Sequence, residues 1–149
     1  MDIVVYNDKA MPTREERKAV VDFLYKNLEE FGDPRPDIDK AVAYALKENK
    51  SFGGFILAAV EEKSVLGVVV VNRTGMKDYI PENILVYIAT HKEHRGQGIG
   101  KALMKKASQV SDGDIALHVE PDNPARFLYE KMGFTSKYIE MRLHKEEDE

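Results

Sequence analysis

The chain of 149 residues contains no cysteine. That absence excludes a disulfide scaffold, a thiolate zinc site and a cysteine nucleophile. A chain of this length needs no such support, because it can bury roughly two thirds of the surface that its unfolded form exposes. We therefore expect a single domain over residues 1–149, built around one hydrophobic core.

The sequence also lacks a long apolar run and an excess of positive charge. No apolar segment approaches the length of a membrane span, and the N-terminus does not have the pattern of a signal peptide. Acidic residues outnumber basic ones by 26 to 22, so the overall field does not attract nucleic acid. These absences favour a cytoplasmic protein that binds neither membranes nor nucleic acid.

Two helices are expected after the first strand. Residues 2–7 alternate between apolar and polar side chains, as in a half-buried strand. Thr13 and Glu16 form a capping-box pattern for a helix of about residues 13–31. A segment rich in glycine and proline follows, and a second helix is predicted over about residues 37–48.

The middle of the chain predicts three strands. Two runs of β-branched residues, 55–60 and 65–71, indicate a hairpin, and the polar residues 72–83 indicate an exposed loop. Residues 84–90 are apolar almost throughout, which is typical of a strand covered on both faces.

The last third of the chain predicts two helices and two strands. Residues 99–110 carry an apolar stripe at helical spacing, and residues 115–119 alternate as a strand. A short helix opens at Asn123-Pro124 and stops at Gly133, and residues 138–143 can form a last strand. The expected fold class is α/β (α+β), with one mixed central sheet of about six to seven strands and helices on both faces.

Three glycines at alternate positions, Gly96, Gly98 and Gly100, lie between the buried strand and a helix. Glycine lets successive backbone N–H groups point inward, and the helix adds the positive end of its dipole. This geometry can bind a diphosphate mainly through the main chain, with added charge from Arg95 and Lys101. An ordinary tight turn before a helix is the alternative interpretation.

Two common phosphate-binding loops do not fit this segment. A dinucleotide fingerprint requires glycine where Lys101 stands. A Walker loop requires glycine where Arg95 stands, and serine or threonine where Ala102 stands. The loop therefore belongs to neither class.

The segment Arg95-Gly96-Gln97-Gly98-Ile99-Gly100 resembles the pyrophosphate loop of the GNAT N-acetyltransferases. That pattern is Arg or Gln, two variable residues, Gly, any residue, and Gly or Ala. Residues 123–134 resemble the second signature of the same family. The resemblance implies the GNAT acyl-CoA N-acyltransferase fold. It also implies transfer of an acetyl group from acetyl-CoA, used as a co-substrate without a metal, to a primary amine of a small molecule or peptide.

The resemblance implies positions for the cofactor as well. Main-chain groups near Ile88, Ala89 and Thr90 would bind the pantetheine arm, and Asn123 would hold the same arm from the last helix. An N–H near Tyr87 or Ile88 would stabilise the oxyanion that forms on attack. The expected diphosphate site consists of Arg95, Gly96, Gln97, Gly98, Ile99, Gly100 and Lys101.

Tyr129 stands where the family places the general acid that protonates the departing thiolate. A free thiol titrates near pH 8.5 and a phenol near 10, so this transfer is close to balanced. The attacking amine must first lose a proton, and Glu82, just before the central strand, is the candidate base, with a water chain as the alternative. Tyr87 is a candidate contact for the substrate.

The sequence does not predict a metal site. His91 and His94 lie three residues apart, but no third ligand is evident nearby. His118 is interpreted as a sheet-surface residue.

The acceptor amine is expected to contact the first two helices and the loop of residues 72–83. The carboxylates there suit a cationic amine, although surface charge more commonly forms a solvated face; they are Glu29, Glu30, Asp33, Asp37, Asp39 and Asp78. Two other functions stay open: a non-catalytic acyl-CoA binding or sensing module, and an interaction domain on the same fold. The resemblance also raises the possibility of a homodimer formed through sheet edges or the last strands.

Overall fold

A mixed sheet of five strands organises the computed structural model, which describes residues 1–146. The last three residues of the expected domain lie outside this described part. The strands are β1 (Asp2–Tyr6), β2 (Gly54–Glu61), β3 (Ser64–Arg73), β4 (Asn83–Thr90) and β5 (Ile115–Leu117). The helices are α1 (Arg14–Asn27), α2 (Arg35–Ala45), α3 (Ile99–Val110) and α4 (Ala125–Lys131). The sheet order is β1-β2-β3-β4-β5, with β5 parallel to β4 and the other pairs antiparallel.

The centre of the sheet is the predicted hairpin of β2 and β3. Its turn residues Glu62 and Lys63 both have positive φ angles, 49° and 67°. A two-residue turn needs such angles for its twist to match that of the flanking strands. Residues 68–71 of β3 are fully buried. Their continuous apolar character reflects burial of this strand on both faces.

Helices cover both faces of the sheet, as predicted. On one face α1 and α2 enclose a core that includes Leu24, Ile38 and Val42. On the other face α3 and α4 enclose a second core around Leu103 and Met104. None of the helices in residues 1–146 combines the length and the apolar character needed to cross a bilayer.

The capping box of α1 is confirmed. The backbone N–H of Glu16 donates to the Thr13 hydroxyl at 3.1 Å, and the backbone N–H of Thr13 donates to the Glu16 carboxylate at 2.8 Å. The helix ends at Asn27, earlier than predicted, and residues 29–31 form a short 3₁₀ turn. Residues 28–34 thereby become a connecting segment along one side of the site described below.

The strand count is lower than the predicted six to seven. Residues 138–143 form no strand in the described chain, and the side chains of Ile139, Met141 and Leu143 are almost fully exposed. Alternation of apolar residues favours a strand, but a strand also needs a neighbour that satisfies its backbone hydrogen bonds. In the described residues this segment pairs with no strand of the sheet, so the prediction of a last strand is wrong.

Candidate active site

A cavity of about 1250 Å³ opens where β4 and β5 diverge. Its walls are β4, the glycine loop with the start of α3, α4, and the segment that connects α1 to α2. Sites for one small molecule usually measure about 300 to 1000 Å³. The cavity is therefore large enough to take a cofactor and a second substrate together.

The divergence leaves one edge of β4 without a partner. β5 pairs only with residues 83–85 of β4, whereas residues 86–90 also line the cavity. Backbone N–H and C=O groups on an unpaired strand edge can bind an extended ligand that carries amide groups. The three residues predicted to bind the pantetheine arm, Ile88, Ala89 and Thr90, lie on this open edge.

A β-bulge at Val86 sets the direction of the neighbouring side chains. Val71 of β3 pairs with Leu85 and Val70 pairs with Tyr87, so Val86 has no partner in the β3–β4 ladder. Val86 and Tyr87 consequently both pack toward α1 and α2, while Leu85 packs toward α3 and α4. The bulge lies beside the N–H groups for which an oxyanion role was predicted.

The glycine loop adopts a conformation that only glycine takes up readily. Gly96 and Gly98 have φ angles of 81° and 82°, and an added Cβ at either position would meet nothing within 4 Å. Glycine is therefore required there for backbone conformation and not for space. Gly98 is the N-cap of α3, so the first N–H groups of that helix are free to bind an anion at the cavity.

The cavity takes in nearly all the predicted cofactor residues. Gln97 is the exception, because its side chain points to the His94 ring, with 3.3 Å between Oε1 and Nδ1. Those that line the cavity are Ile88, Ala89, Thr90, Arg95, Gly96, Gly98, Ile99, Gly100, Lys101 and Asn123.

Glu29 links the connecting segment to the glycine loop. Its carboxylate lies 3.2 Å from the Lys92 ammonium and 3.4 Å from the Arg95 guanidinium. These cations, Lys92 foremost, lower the pKa of Glu29. Any anion bound at Arg95 would compete with this carboxylate.

Tyr129 and Asn123 approach the cavity from α4 and its start. Tyr129 is 7% exposed, and burial raises its pKa to about 12. The phenol is thus a weaker acid than a free tyrosine. The ordinary pKa, near 10, had predicted a nearly balanced proton transfer to the thiolate. The Asn123 side-chain oxygen accepts a hydrogen bond from the Ala125 N–H at 2.9 Å, which leaves the amide N–H groups as donors.

Glu82 does not line the cavity. One carboxylate oxygen accepts the backbone N–H of Asp114 at 2.7 Å, and the other accepts that of Asp78 at 3.0 Å. These backbone hydrogen bonds lower the pKa of Glu82. Glu82 thereby ties the loop that carries Asp78 to the turn that carries Asp114.

Tyr87 lines the cavity and holds an acidic partner. Its hydroxyl donates a hydrogen bond of 2.5 Å to Asp33 of the connecting segment. Burial, followed by the hydrogen bond and charge of Asp33, raises the pKa of Tyr87 well above its usual range. This tyrosine therefore stays a hydrogen-bond donor throughout the working pH range.

Two cavity residues carried little or no signal in the sequence. Asp33 was one of six carboxylates in the acceptor region, and nothing distinguished it from the others. Asn27 was not singled out at all, yet it is buried and lines the cavity. Its position in the last turn of an amphipathic helix gives no sign of a neighbouring site. Within the part of the chain that is described, no three His, Asp or Glu side chains converge as metal ligands.

Comparison with known proteins identifies the fold. The family model described as "Acetyltransferase (GNAT) domain" matches residues 52–136. No curated protein matches the chain in sequence. Among solved structures, aminoglycoside 6′-N-acetyltransferase AAC(6′)-Ig from Acinetobacter haemolyticus is 17% identical, covers 99% of this chain and 100% of its own, and has a TM-score of 0.68.

Two further solved structures are similar. Ribosomal-protein-alanine N-acetyltransferase from Brucella melitensis biovar Abortus 2308 is 20% identical over 97% of this chain and 99% of its own, with a TM-score of 0.64. Aminoglycoside N-acetyltransferase AAC(6′)-Iy, solved with CoA, is 14% identical over 97% and 93%, with a TM-score of 0.71. At these identities the likeness shows the fold alone.

The family model carries the assignment further than the fold. It covers more than half of the chain and includes β4, the glycine loop and α4, which form three of the four walls of the cavity. The chain therefore belongs to the GNAT acetyltransferase family.

Proposed function

We propose that the protein transfers the acetyl group of acetyl-CoA to a primary amine of a small molecule or peptide by direct attack. The observation that carries this proposal is a convergence on one cavity. The open edge of β4, the glycine loop before α3 and the buried phenol of Tyr129 all line it. A similar fold has been solved with CoA, in the enzyme AAC(6′)-Iy.

In this proposal the chain binds the cofactor mainly through its backbone. The free N–H groups at the start of α3 hold the diphosphate, with Arg95 and Lys101 adding charge. The open edge at residues 88–90 pairs with the amides of the pantetheine arm, and Asn123 donates from the other side. Acetyl-CoA supplies a thioester whose carbonyl carbon is open to attack by an amine.

The residues around the thioester then have distinct tasks. The amine nitrogen bonds to the carbonyl carbon as the carbon–sulfur bond breaks. A main-chain N–H beside the bulge, near Tyr87 or Ile88, stabilises the developing oxyanion. Tyr129 donates its proton to the departing thiolate and regains one from solvent. The proton released by the amine leaves through a water chain, because Glu82 does not line the cavity.

Replacement of Tyr129 tests the proposed general acid. For Tyr129→Phe we expect kcat with acetyl-CoA and an accepted amine to fall about 10²- to 10³-fold, because the leaving thiolate loses its proton donor. The Kd for CoA should change less than about twofold. In the native protein kcat should not decline through ionisation of Tyr129 below about pH 10, because its pKa is about 12.

The same assay separates the alternative functions. Thiol release is measured with a panel of amines, and CoA binding by isothermal titration. Phe127→Leu, which alters the exposed face of α4, is the matched control and should retain native kcat. Tight CoA binding without turnover on any amine would favour an acyl-CoA sensing module, and no CoA binding would favour an interaction domain. Native kcat in Tyr129→Phe would remove Tyr129 from the mechanism.

Replacement of Glu29 tests whether its carboxylate competes with the diphosphate. We expect Glu29→Gln to lower the Kd for CoA about two- to fivefold, because the diphosphate no longer has to displace a carboxylate from Arg95 and Lys92. The effect should shrink as salt concentration rises. Glu30→Gln removes the same charge from the cavity wall without breaking an ion pair, so its effect should be smaller. An unchanged or raised Kd in Glu29→Gln would refute the competition.

Glu82→Gln tests whether Glu82 is the base. We expect kcat/KM within about threefold of native, because a side chain outside the cavity does not take the proton of the amine. We expect a lower Tm, since glutamine offers one acceptor oxygen for two backbone donors. The pKa of Glu82 is depressed in the folded state. The contribution of this carboxylate to stability is therefore present at neutral pH and is lost as the pH falls through the folded-state pKa.

The difference in Tm between native protein and Glu82→Gln should accordingly shrink in acid, below about pH 4. A loss of kcat of a hundredfold, with native Tm and loss of the acidic limb of the pH profile, would instead make Glu82 the base.

The exposed segment of residues 138–143 supports a homodimer. In this proposal the segment pairs with the outer edge of β5 in a second copy. That edge is unpaired in the described chain, and the segment itself belongs to no strand of its own sheet. Light scattering after size exclusion should give a dimer mass. The double variant Ile139→Ser and Met141→Ser should give a monomer, whereas Glu140→Gln should stay dimeric. A monomeric native protein would refute this arrangement.

A further inference from the structure

We infer that His118 takes the proton that the acceptor ammonium must lose before its nitrogen attacks the thioester. This inference rests on the proposed acetyl transfer, in which no side chain has yet been assigned to this proton because Glu82 does not line the cavity. The alternating pattern of residues 115–119 predicts His118 on the surface of the sheet. In the structure His118 lines the cavity together with Asn123 and Tyr129.

His118 stands at the point where β4 and β5 diverge. The last pair between these strands joins Leu85 to Leu117, and His118 is the next residue of the chain. The next residue of β4 is Val86, the bulge residue that has no partner in β3. His118 therefore lies at the start of the gap between the strands, level with the bulge beside which we propose that the oxyanion forms.

The side chain of His118 points to the face of the sheet that α1 and α2 cover. Its neighbours Leu117 and Val119 both pack against the core under α3 and α4. Successive side chains of an extended chain point to opposite faces, so the side chain between these two points away from that core. Tyr129 belongs to the core under α3 and α4. His118 and Tyr129 therefore approach the cavity from opposite faces of the sheet.

This placement suits an amine that attacks from the side of α1 and α2. The acceptor ammonium gives one proton to the neutral imidazole of His118, and its nitrogen then has a lone pair. The nitrogen bonds to the carbonyl carbon, the carbon–sulfur bond breaks, and Tyr129 protonates the thiolate from the other face. His118 passes its proton to solvent, takes the second proton that the nitrogen releases as the amide forms, and passes that proton to solvent as well.

Histidine is the type of side chain best suited to accept this proton at neutral pH. The other histidine that lines the cavity within residues 1–146 is His94 of the glycine loop, where we propose that the diphosphate binds. Asp122 also lines the cavity, close to His118 in sequence, but a free carboxylate is a much weaker base than a free imidazole. His118 is exposed, so the acceptor or a water molecule can reach its ring.

The test varies the acidity of the acceptor in native protein and in His118→Ala. At neutral pH propylamine is almost entirely an ammonium, whereas trifluoroethylamine is largely neutral because its fluorine atoms make its ammonium more acidic. For propylamine we expect His118→Ala to lower kcat/KM about a hundredfold, because the proton acceptor is lost. For trifluoroethylamine the loss should stay below about tenfold. A merely structural role of His118 would lower both values equally.

Further variants and an added base sharpen this comparison. Free imidazole should raise kcat of His118→Ala with propylamine at least about tenfold and leave native kcat unchanged, because it can occupy the space of the lost ring. His118→Gln, which keeps a polar side chain without the base, should lose as much as His118→Ala. His144→Gln, which replaces an exposed histidine outside the cavity lining, should keep native kcat/KM. The Kd for CoA should stay within about twofold of native in every variant.

Equal losses for both amines, or native kcat/KM for propylamine in His118→Ala, would overturn the inference while the acetyl transfer stands. A larger loss in Asp122→Asn than in His118→Ala would also overturn it, because the proton would then pass to Asp122. If the native protein acetylates neither of these amines nor any amine of the panel, the proposed function fails and the role of His118 fails with it.

Discussion

The site depends on one constraint, the early end of pairing between β4 and β5. The two strands share only three residue pairs before they diverge. Beyond that point β4 keeps its partner on one side and presents unpaired backbone groups on the other. Such groups need a hydrogen-bonding partner, so the sheet itself creates a binding edge for an extended ligand. The bulge at Val86 adds a second irregularity to the same strand.

The helices α3 and α4 pack against the same face of the sheet and approach each other closely. Gly100 in the first turn of α3 lies against Leu128 of α4, where an added Cβ would come within 3.2 Å of the leucine side chain. This close approach brings the start of α3, where we propose that the diphosphate binds, next to the helix that carries Tyr129. The same packing buries Tyr129, which raises its pKa and keeps it protonated. The packing of α3 against α4 therefore accompanies the burial that keeps the proposed general acid protonated.

Charged side chains of the connecting segment contact both the glycine loop and Tyr87 of β4. The connecting segment contributes Glu29 to the cations of the glycine loop and Asp33 to the hydroxyl of Tyr87. Glu29 has a positive φ of 55°, so the chain bends sharply where it reaches across to the loop. One short segment thus touches both the expected cofactor site and the expected acceptor site.

The sequence by itself determined what depends on neighbours along the chain. The Thr13 capping box, the hairpin turn at Glu62 and Lys63, and the glycine loop all follow from local backbone preferences, and each is present in the structure. Helices on both faces followed from the alternation of apolar runs with amphipathic segments. The family was also recognisable at this level, because its two motifs are contiguous in sequence.

Only the tertiary structure decided which side chains share the cavity. Glu82 was a candidate base by its place just before the central strand, but its carboxylate accepts hydrogen bonds from Asp78 and Asp114 and does not line the cavity. Asn27 and Asp33 line the cavity because α1 ends early and the chain then crosses toward β4. No local sequence pattern predicts either feature. The last predicted strand failed for a related reason: a strand exists only with a partner, and sequence alternation specifies a face but supplies no neighbour.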